Sequence, residues 1–383
     1  MKVLMVDQIA KVSYKYSFSM TNALKRAGVC VDLAIDQKKE QEDSVCSRIN
    51  LFNTDEKNIG KLKKLLNYFS SWRKIKKLIK NKYDILHTQW VIFSPVDYLF
   101  LRKIKKQEKK LVITIHDILP FNKKFYDYFF HNKIYGLADA IILQTDENVS
   151  KFHDIFPKLQ SPVYMVPHGH FMNYAKVLDM QMARKKLNLP EKEFIYLFFG
   201  QIKKVKGVDV LLKSYADLLK NHPEMKKNTL LVIAGNTWKE DSNKYFSLVK
   251  QEHLDEYVHM DIRYIPDEQV DLFYSAADVC VLPYLEVYQS GVLQLTYAHH
   301  RVPIATDLRA FTDIINPKIG FICRSNDIQA LSNAMRIAYN EKNELETMAN
   351  CGYNYIATRF DWDNIAIKVK EIYTEVEKHV QEA

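Results

Sequence analysis

The sequence predicts an α/β protein made of two doubly wound, Rossmann-like domains. Three observations lead there. Short apolar runs alternate with helical stretches almost from end to end, and 383 residues are too many for one ordinary core. In the second half, two glycine-marked turns, within Phe198–Leu212 and Pro283–Ala298, each begin a helix where a buried strand ends. With 47% hydrophobic residues, the chain has ample material for burial.

The first series of strands is expected at Val3–Val6, Val29–Ile35, Asp84–His87, Leu111–His116, Ala140–Gln144 and Val163–Val166. Helices such as Ser17–Ala27 lie between them, which implies a parallel sheet. A second series is expected at Phe194–Gly200, Leu230–Gly235, Val258–Tyr264, Val279–Pro283, Val302–Thr306 and Gly320–Cys323. Its helices are expected near Val208–Lys220, Asp267–Ala276, Gly291–His300, Ile328–Asn340 and Leu345–Ala357. The stretch His168–Lys192, with PHGHF and a polar helical piece, reads as the hinge, giving domains at 1–170 and 171–360.

Open α/β sheets bind ligands at the carboxyl ends of their strands, so two such domains facing each other would place the working site in the cleft. Both glycine turns belong to such ends. They aim backbone N–H groups and helix dipoles at one crevice, and the first adds Lys203, Lys204 and Lys206. That chemistry suits a diphosphate.

The net charge of +9 is unevenly placed: +12 over residues 1–170 and −3 over the rest. Nine cations and no acid fall within residues 61–82, and the basicity recurs at 102–110. Leu62, Leu65, Phe69, Trp72 and Ile79 recur near helical spacing in the first run, an apolar stripe beside a cationic face. Two readings stay open: a solvated face whose stripe packs on its own domain, or a helix lying on anionic lipid, which Trp72 between basic neighbours favours. No nucleic-acid motif accompanies the charge, so nucleic acid is not an expected partner.

No run approaches 18 uncharged apolar residues, and MKVLMVDQIAKV reads as a first strand rather than a signal peptide. The expected location is the cytoplasm, with peripheral contact to the inner membrane face under the lipid reading. The five cysteines, Cys30, Cys46, Cys280, Cys323 and Cys351, are scattered without a CxxC pair and read as reduced core residues.

The motifs FFGQIKKVKGVDVLL, LLVIAG, YIPDEQVDLFYSAADVCVLPY, QSGVLQLTYAHHRVPIATD and the late FDW are similar to those of the family 4 glycosyltransferases, which have the GT-B fold. HTQW at 87–90, ITIHDILP at 113–120, LADAIILQT at 137–145 and VPHGH at 166–170 extend the likeness in the order that family would place them. The resemblance implies sugar transfer from a UDP- or GDP-sugar to a saccharide or lipid-linked saccharide acceptor, with retention of configuration, no bound metal and no cofactor. Capsule or exopolysaccharide assembly is the implied setting. It further implies that the terminal segment 361–383, with a helix at Ile365–Lys378, crosses back to the first domain.

By the same resemblance, Lys206 contacts the diphosphate, Gly200 opens the turn, and Gln201 stands where the family often has arginine. Lys203 is the substitute cation. Ser290, Gly291 and Val292 present backbone N–H groups to the phosphates. Tyr288 and Thr296 occupy the places of the family's glutamate pair, which contacts donor sugar and ribose; Gln289 lies one residue from the first. His116 matches the histidine that approaches the transferred sugar, unless it is a satisfied core residue. Asp117 would orient its ring or cap the next turn. Arg263–Ile265 would line the base. The Asp361-Trp362-Asp363 triplet spells a metal-binding pattern of another fold, but Asp363 reads as a helix N-cap. The alternative is a non-catalytic partner protein of the same fold; a sugar-nucleotide epimerase is a third reading.

Overall fold

The computed structural model describes residues 1–35, 47–52, 60–120, 123–237, 241–287 and 290–378, with the side chains at 10–12 and 61 also outside the description. The chain divides into two compact units, Met1–Gly169 with Phe360–Ala383, and His170–Arg359.

The first unit runs β1 (Lys2–Asp7), α1 (Ala10–Arg26), β2 (Cys30–Ile35), β3 (Arg48–Asn50), α2 (Lys61–Lys82), β4 (Ile85–Thr88), α3 (Ser94–Lys105), β5 (Lys110–Thr114), α4 (Asp127–Tyr135), β6 (Ala140–Leu143), α5 (Asp146–Ile155) and β7 (Val163–Met165). Its seven strands are all parallel, in the order β3-β2-β1-β4-β5-β6-β7. The central strands are buried on both faces because helices cover both, which is why they read as unbroken apolar runs. One face packs on Tyr16, Met20 and Leu24 of α1 and on Trp362, Ile365, Val369 and Tyr373 of the helix Trp362–Lys378. The other packs on α2 to α5.

α1 begins seven residues before the expected start. The serines in KVSYKYSFS favour turns locally, but here Ser13 and Ser17 donate their hydroxyls to the buried Asp7 carboxylate, at 2.8 and 2.6 Å, so they sit in a helix without an orphaned group. β3 went unpredicted because it is a three-residue edge strand that only its pairing with β2 defines.

α2 resolves the basic amphipathic segment, and half of it corrects the sequence reading. Trp72 is fully buried, stacks on Phe100 with ring centroids 6.0 Å apart, and donates its indole N–H to Asp97 at 2.9 Å. It offers nothing to a lipid surface. Tyr68, Ile75 and Ile79 share its inward face, whereas Leu62 and Leu66 stay 72% and 60% exposed. Asp97 also accepts the backbone N–H groups of Ile92 and Phe93, closing the start of α3; burial lifts its carboxyl to about 7.

Two smaller expectations are also corrected. The N-cap of the C-terminal helix is formed by Asp361, whose Oδ1 accepts the N–H groups of Asp363 and Asn364, while Asp363 pairs with Arg26 at 2.6 Å. Cys280 and Cys323 are buried, but Cys30 and Cys351 are exposed; Cys46 lies outside the described residues.

The second unit runs α6 (Met180–Lys186), β8 (Phe194–Phe199), α7 (Val208–Asn221), β9 (Thr229–Ala234), α8 (Asn243–Gln251), β10 (Val258–Asp261), α9 (Asp267–Ala276), β11 (Val279–Leu282), α10 (Gly291–Ala298), β12 (Val302–Thr306), α11 (Arg309–Thr312), β13 (Phe321–Cys323), α12 (Ile328–Asn340) and α13 (Leu345–Arg359). Six parallel strands lie in the order β10-β9-β8-β11-β12-β13. The winding therefore reverses between β8 and β11, and a doubly wound sheet opens its ligand crevice at the carboxyl ends of such a pair. In the first unit the reversal falls between β1 and β4.

Candidate active site

In the second unit, the two glycine turns leave neighbouring strands at the reversal point. Gly200 directly follows β8 with φ +118°, a conformation closed to most side chains. A Cβ on Gly235, at the end of β9, would stand 1.9 Å from the Gly200 carbonyl oxygen, so the backbones touch where side chains would separate them. The chain then makes a 3₁₀ turn at Lys204–Lys206 and enters α7 through Gly207, at φ +65°. A Cβ there would meet the Pro283 carbonyl oxygen at 1.9 Å, and Leu285 donates its N–H to the Val205 carbonyl at 2.9 Å. The loops after β8 and β11 are thus tied backbone to backbone.

Lys206 is the product of that contact. It is half-buried, and its ammonium sits 3.5 Å from the centre of the buried Tyr284 ring. Burial, with the charge of Lys203 adding to it, pushes the amine down from the ordinary 10.5 to about 7. An anion at this point would restore the charge. Tyr284, which had no assigned role in the sequence, is itself fixed through its carbonyl, which accepts the hydroxyls of Thr306 and Ser325 at 2.8 and 3.0 Å.

The second turn supplies the other donors. Ser290 caps α10, its hydroxyl accepting the Leu293 N–H at 3.2 Å. Gly291 and Val292 are the next residues of the helix, where N–H groups have no intrahelical acceptor. Val292 approaches Gly200 closely enough that a Cβ on the glycine would lie 3.4 Å from its Cγ2. Gly200, Lys206, Gly207, Gly291 and Val292 are therefore brought together at one strand-end mouth, with Gln201 exposed and Lys203 half-buried on its rim.

Thr296 is not part of that mouth. Its side chain is fully buried and its hydroxyl donates back to the Val292 carbonyl at 2.8 Å, so it has no exposed surface for ribose hydroxyls. Tyr288 and Gln289 lie outside the described residues. Arg263 is exposed and held by Asp261 at 2.7 Å and Gln269 at 2.7 Å.

In the first unit, His116 follows β5 and is 9% exposed. Trp90 stacks on its ring at 4.6 Å, Tyr16 meets it edge-on at 5.0 Å, and its Nε2 pairs with Gln89 Oε1 at 3.2 Å. Burial pushes its pKa down to about 3, the neighbouring His168 and His87 adding to the effect, so the ring is neutral. His87 is likewise held near 3 by burial and bonded to Tyr373 and Thr114, while His168, near 4, packs on Tyr16 at 4.8 Å. Gln89 and Trp90 come from HTQW, which leaves β4 at this unit's reversal point. The motif was visible in the sequence; its packing against His116 required the register of β4 beside β5.

Residues 179–356 match the family model for glycosyl transferases group 1, and residues 15–170 match that for Glycosyltransferase Family 4. The chain belongs to glycosyltransferase family 4. Among curated relatives, this family 4 chain is similar to the D-inositol 3-phosphate glycosyltransferase of Streptomyces avermitilis, 25% identical over 252 residues that cover 63% of the chain and 53% of the relative. It thus spans little more than half the length of the first such relatives. Among solved structures, the sucrose-phosphate synthase of Thermosynechococcus elongatus superposes with a TM-score of 0.76 at 19% identity, covering 99% of this chain and 100% of that one. HepE of Anabaena in complex with UDP-glucose gives 0.75 at 14%, covering 98% and 100%. These likenesses establish the GT-B fold class for the family 4 chain, with two Rossmann-like parallel sheets.

Proposed function

We propose that the chain transfers a sugar from a nucleoside diphosphate sugar, UDP- or GDP-linked, to a saccharide or lipid-linked saccharide, with retention of configuration and without a metal, in capsule, exopolysaccharide or other glycoconjugate synthesis. The observation that carries the reading is Lys206, a desolvated amine over the Tyr284 ring, just ahead of the glycine that opens α7 and at the reversal point of a parallel sheet. Breaking the bond from sugar to phosphate leaves a diphosphate whose growing negative charge needs fixed donors. Lys206 and the N–H groups of Gly291 and Val292 supply them without reorganisation. Lys203 is the proposed second cation, with Gly200, Gln201 and Ser290 shaping the loop.

In the proposed step the acceptor oxygen forms its bond to the anomeric carbon on the face the diphosphate leaves. The leaving phosphate takes the pair of the broken C–O bond and the acceptor proton, so no protein carboxylate is required. His116, neutral and almost wholly buried, is assigned a hydrogen-bonding role toward a saccharide hydroxyl. The first unit is proposed as the acceptor-binding domain and the second as the donor-binding domain. The basic segments 61–82 and 102–110 are proposed to meet an anionic inner membrane surface, consistent with a lipid-linked acceptor and a cytoplasmic, peripheral location.

UDP-glucose, the ligand of the Anabaena HepE structure, is the first donor to try. The purified chain is expected to bind and slowly hydrolyse one member of a panel of UDP- and GDP-sugars, with rates unchanged by chelator; a rate abolished by EDTA and restored by a divalent ion would remove the metal-independent mechanism. The second reading, a non-catalytic partner of another transferase, is favoured by the burial of Thr296 where the family has a glutamate. Donor binding without any hydrolysis or transfer across the panel would support it.

A further inference from the structure

We propose that the groove between α2 and α3 is a binding site for the phosphate headgroup of an anionic membrane lipid; this rests on the membrane-surface reading above and gives it a location. The groove has a volume of about 460 Å³. Its floor is aromatic and aliphatic, formed by Phe69, Leu99 and Phe100, and its walls carry Arg73, Lys76, Lys77, Lys80 and Lys103. Among the described residues no carboxylate lines it, and none of these five cations is ion-paired, whereas Lys82 and Lys105 nearby pair with Asp32 and Asp139. Five ammonium or guanidinium groups around an apolar floor repel one another and are stabilised by a bound anion.

The choice of a lipid over a soluble anion comes from the helix itself. At 3.6 residues per turn, Phe69, Arg73, Lys76 and Lys80 form one row on α2, and the same row continues toward the N-terminus through Leu66 and Leu62. Those leucines are 60% and 72% exposed, and Leu65 beside them is 38% exposed. A soluble phosphate would use the cations and leave the leucines in water. A bilayer uses both, the leucines entering the boundary of the acyl chains while the cations hold headgroup phosphates. The buried stripe through Tyr68, Trp72 and Ile79 fixes this row outward, so the arrangement exists before any lipid is met.

The test compares the full chain with two triple variants that lose equal charge, Arg73→Ala/Lys76→Ala/Lys80→Ala in the groove and Lys63→Ala/Lys74→Ala/Lys106→Ala outside it. Flotation is measured with phosphatidylcholine vesicles containing or lacking about one-third phosphatidylglycerol, a content that gives a strongly anionic surface. The wild type is expected to float only with the anionic vesicles. The groove variant should lose about a hundred-fold in partition coefficient, from the affinity each surface cation contributes, while the control variant loses much less. Leu62→Ser/Leu66→Ser should weaken flotation in high salt as well as low, because its contribution is not screened. Equal losses from both charge variants, or no loss from the serine variant, would overturn the proposal. So would inositol hexakisphosphate or single-stranded RNA binding in the groove when vesicles do not. UDP-glucose binding by each variant, measured in parallel, should stay at the wild-type value, so loss of vesicle binding with intact donor binding separates this site from the donor site.

Discussion

If the second unit holds a UDP- or GDP-sugar as proposed, raising the pH through 7 should loosen that hold, because the cation at its mouth is a lysine already half-discharged there. Burial against Tyr284 brings Lys206 to about 7 in the empty protein. The donor's two phosphate groups stay ionised across the neutral range, so the lysine alone titrates. If only the ammonium form binds, the dissociation constant is level below pH 7 and rises about tenfold per unit above it, reaching about a hundred-fold at pH 9, or about 2.7 kcal/mol. Calorimetric titration at pH 6, 7.5 and 9, in buffers of different ionisation enthalpy, should show this weakening together with proton uptake on binding. Lys206→Arg should bind with almost no pH dependence, since a guanidinium stays charged. The unfolded chain keeps the lysine proton up to the ordinary value of 10.5. It therefore binds more protons than the folded chain between 7 and 10.5, and stability of the unliganded unit should rise with pH across that window as donor affinity falls. A dissociation constant unchanged from pH 6 to 9 would refute the placement of Lys206 at the phosphates.

Other consequences are as direct. Gly207→Ala adds a methyl 1.9 Å from the Pro283 carbonyl oxygen at φ +65°, so it should abolish binding of the proposed nucleotide-sugar donor and lower the melting temperature of the second unit; an unchanged melting temperature would mean the two loops are not in contact. His87 and His116 have folded values near 3 against an ordinary 6.5, so the stability they permit is complete above 6.5 and is lost as pH falls toward 3. At pH 5 each costs about 2 kcal/mol, a melting temperature lower by roughly 10 °C than at pH 7.5, and His116→Gln should shrink that drop. Ending the chain before Phe360 strips Trp362, Ile365, Val369 and Tyr373 from the first unit's core, a loss above about 5 kcal/mol on area alone. Its circular dichroism should then show unfolding of that unit, and a native spectrum would refute the packing. Lys206→Ala should remove most turnover while leaving the melting temperature near the wild-type value; near-normal turnover would take it out of the mechanism.

Most of the fold was legible because both sheets are parallel and covered on both faces. Such strands are unbroken apolar runs, and their boundaries fell within a few residues of the expected ones. What escaped was set by distant partners. Ser13 and Ser17 look like turn residues until Asp7 receives their hydroxyls, so α1 was expected to start late. β3 has no apolar run and exists only through β2. Asp363 preceded the expected helix start at Ile365, but the helix begins three residues earlier, at Trp362, and Asp361 takes the cap.

At the candidate site, the two glycine turns and the lysines at 203, 204 and 206 were readable from the sequence, and the family resemblance singled out Lys206 among them. Tyr284 beneath the ammonium was not, because an aromatic residue after an apolar strand is usually core. Thr296 was expected at the ribose by position in the motif, yet its helix turns it inward.

The sequence by itself determined where this chain turns tightly and where buried strands give way to glycine-led helix starts. Positive φ and close backbone approach are demands that only particular residues meet, so Gly200 and Gly207 announce them. The tertiary structure alone decided which side chains keep their charge and which face water. Lys206 is ordinary until Tyr284 covers it, and Trp72 reads as a membrane anchor until Phe100 and Asp97 enclose it. Desolvation depends on what fills the far side of a residue, and that neighbour arrives from elsewhere in the chain.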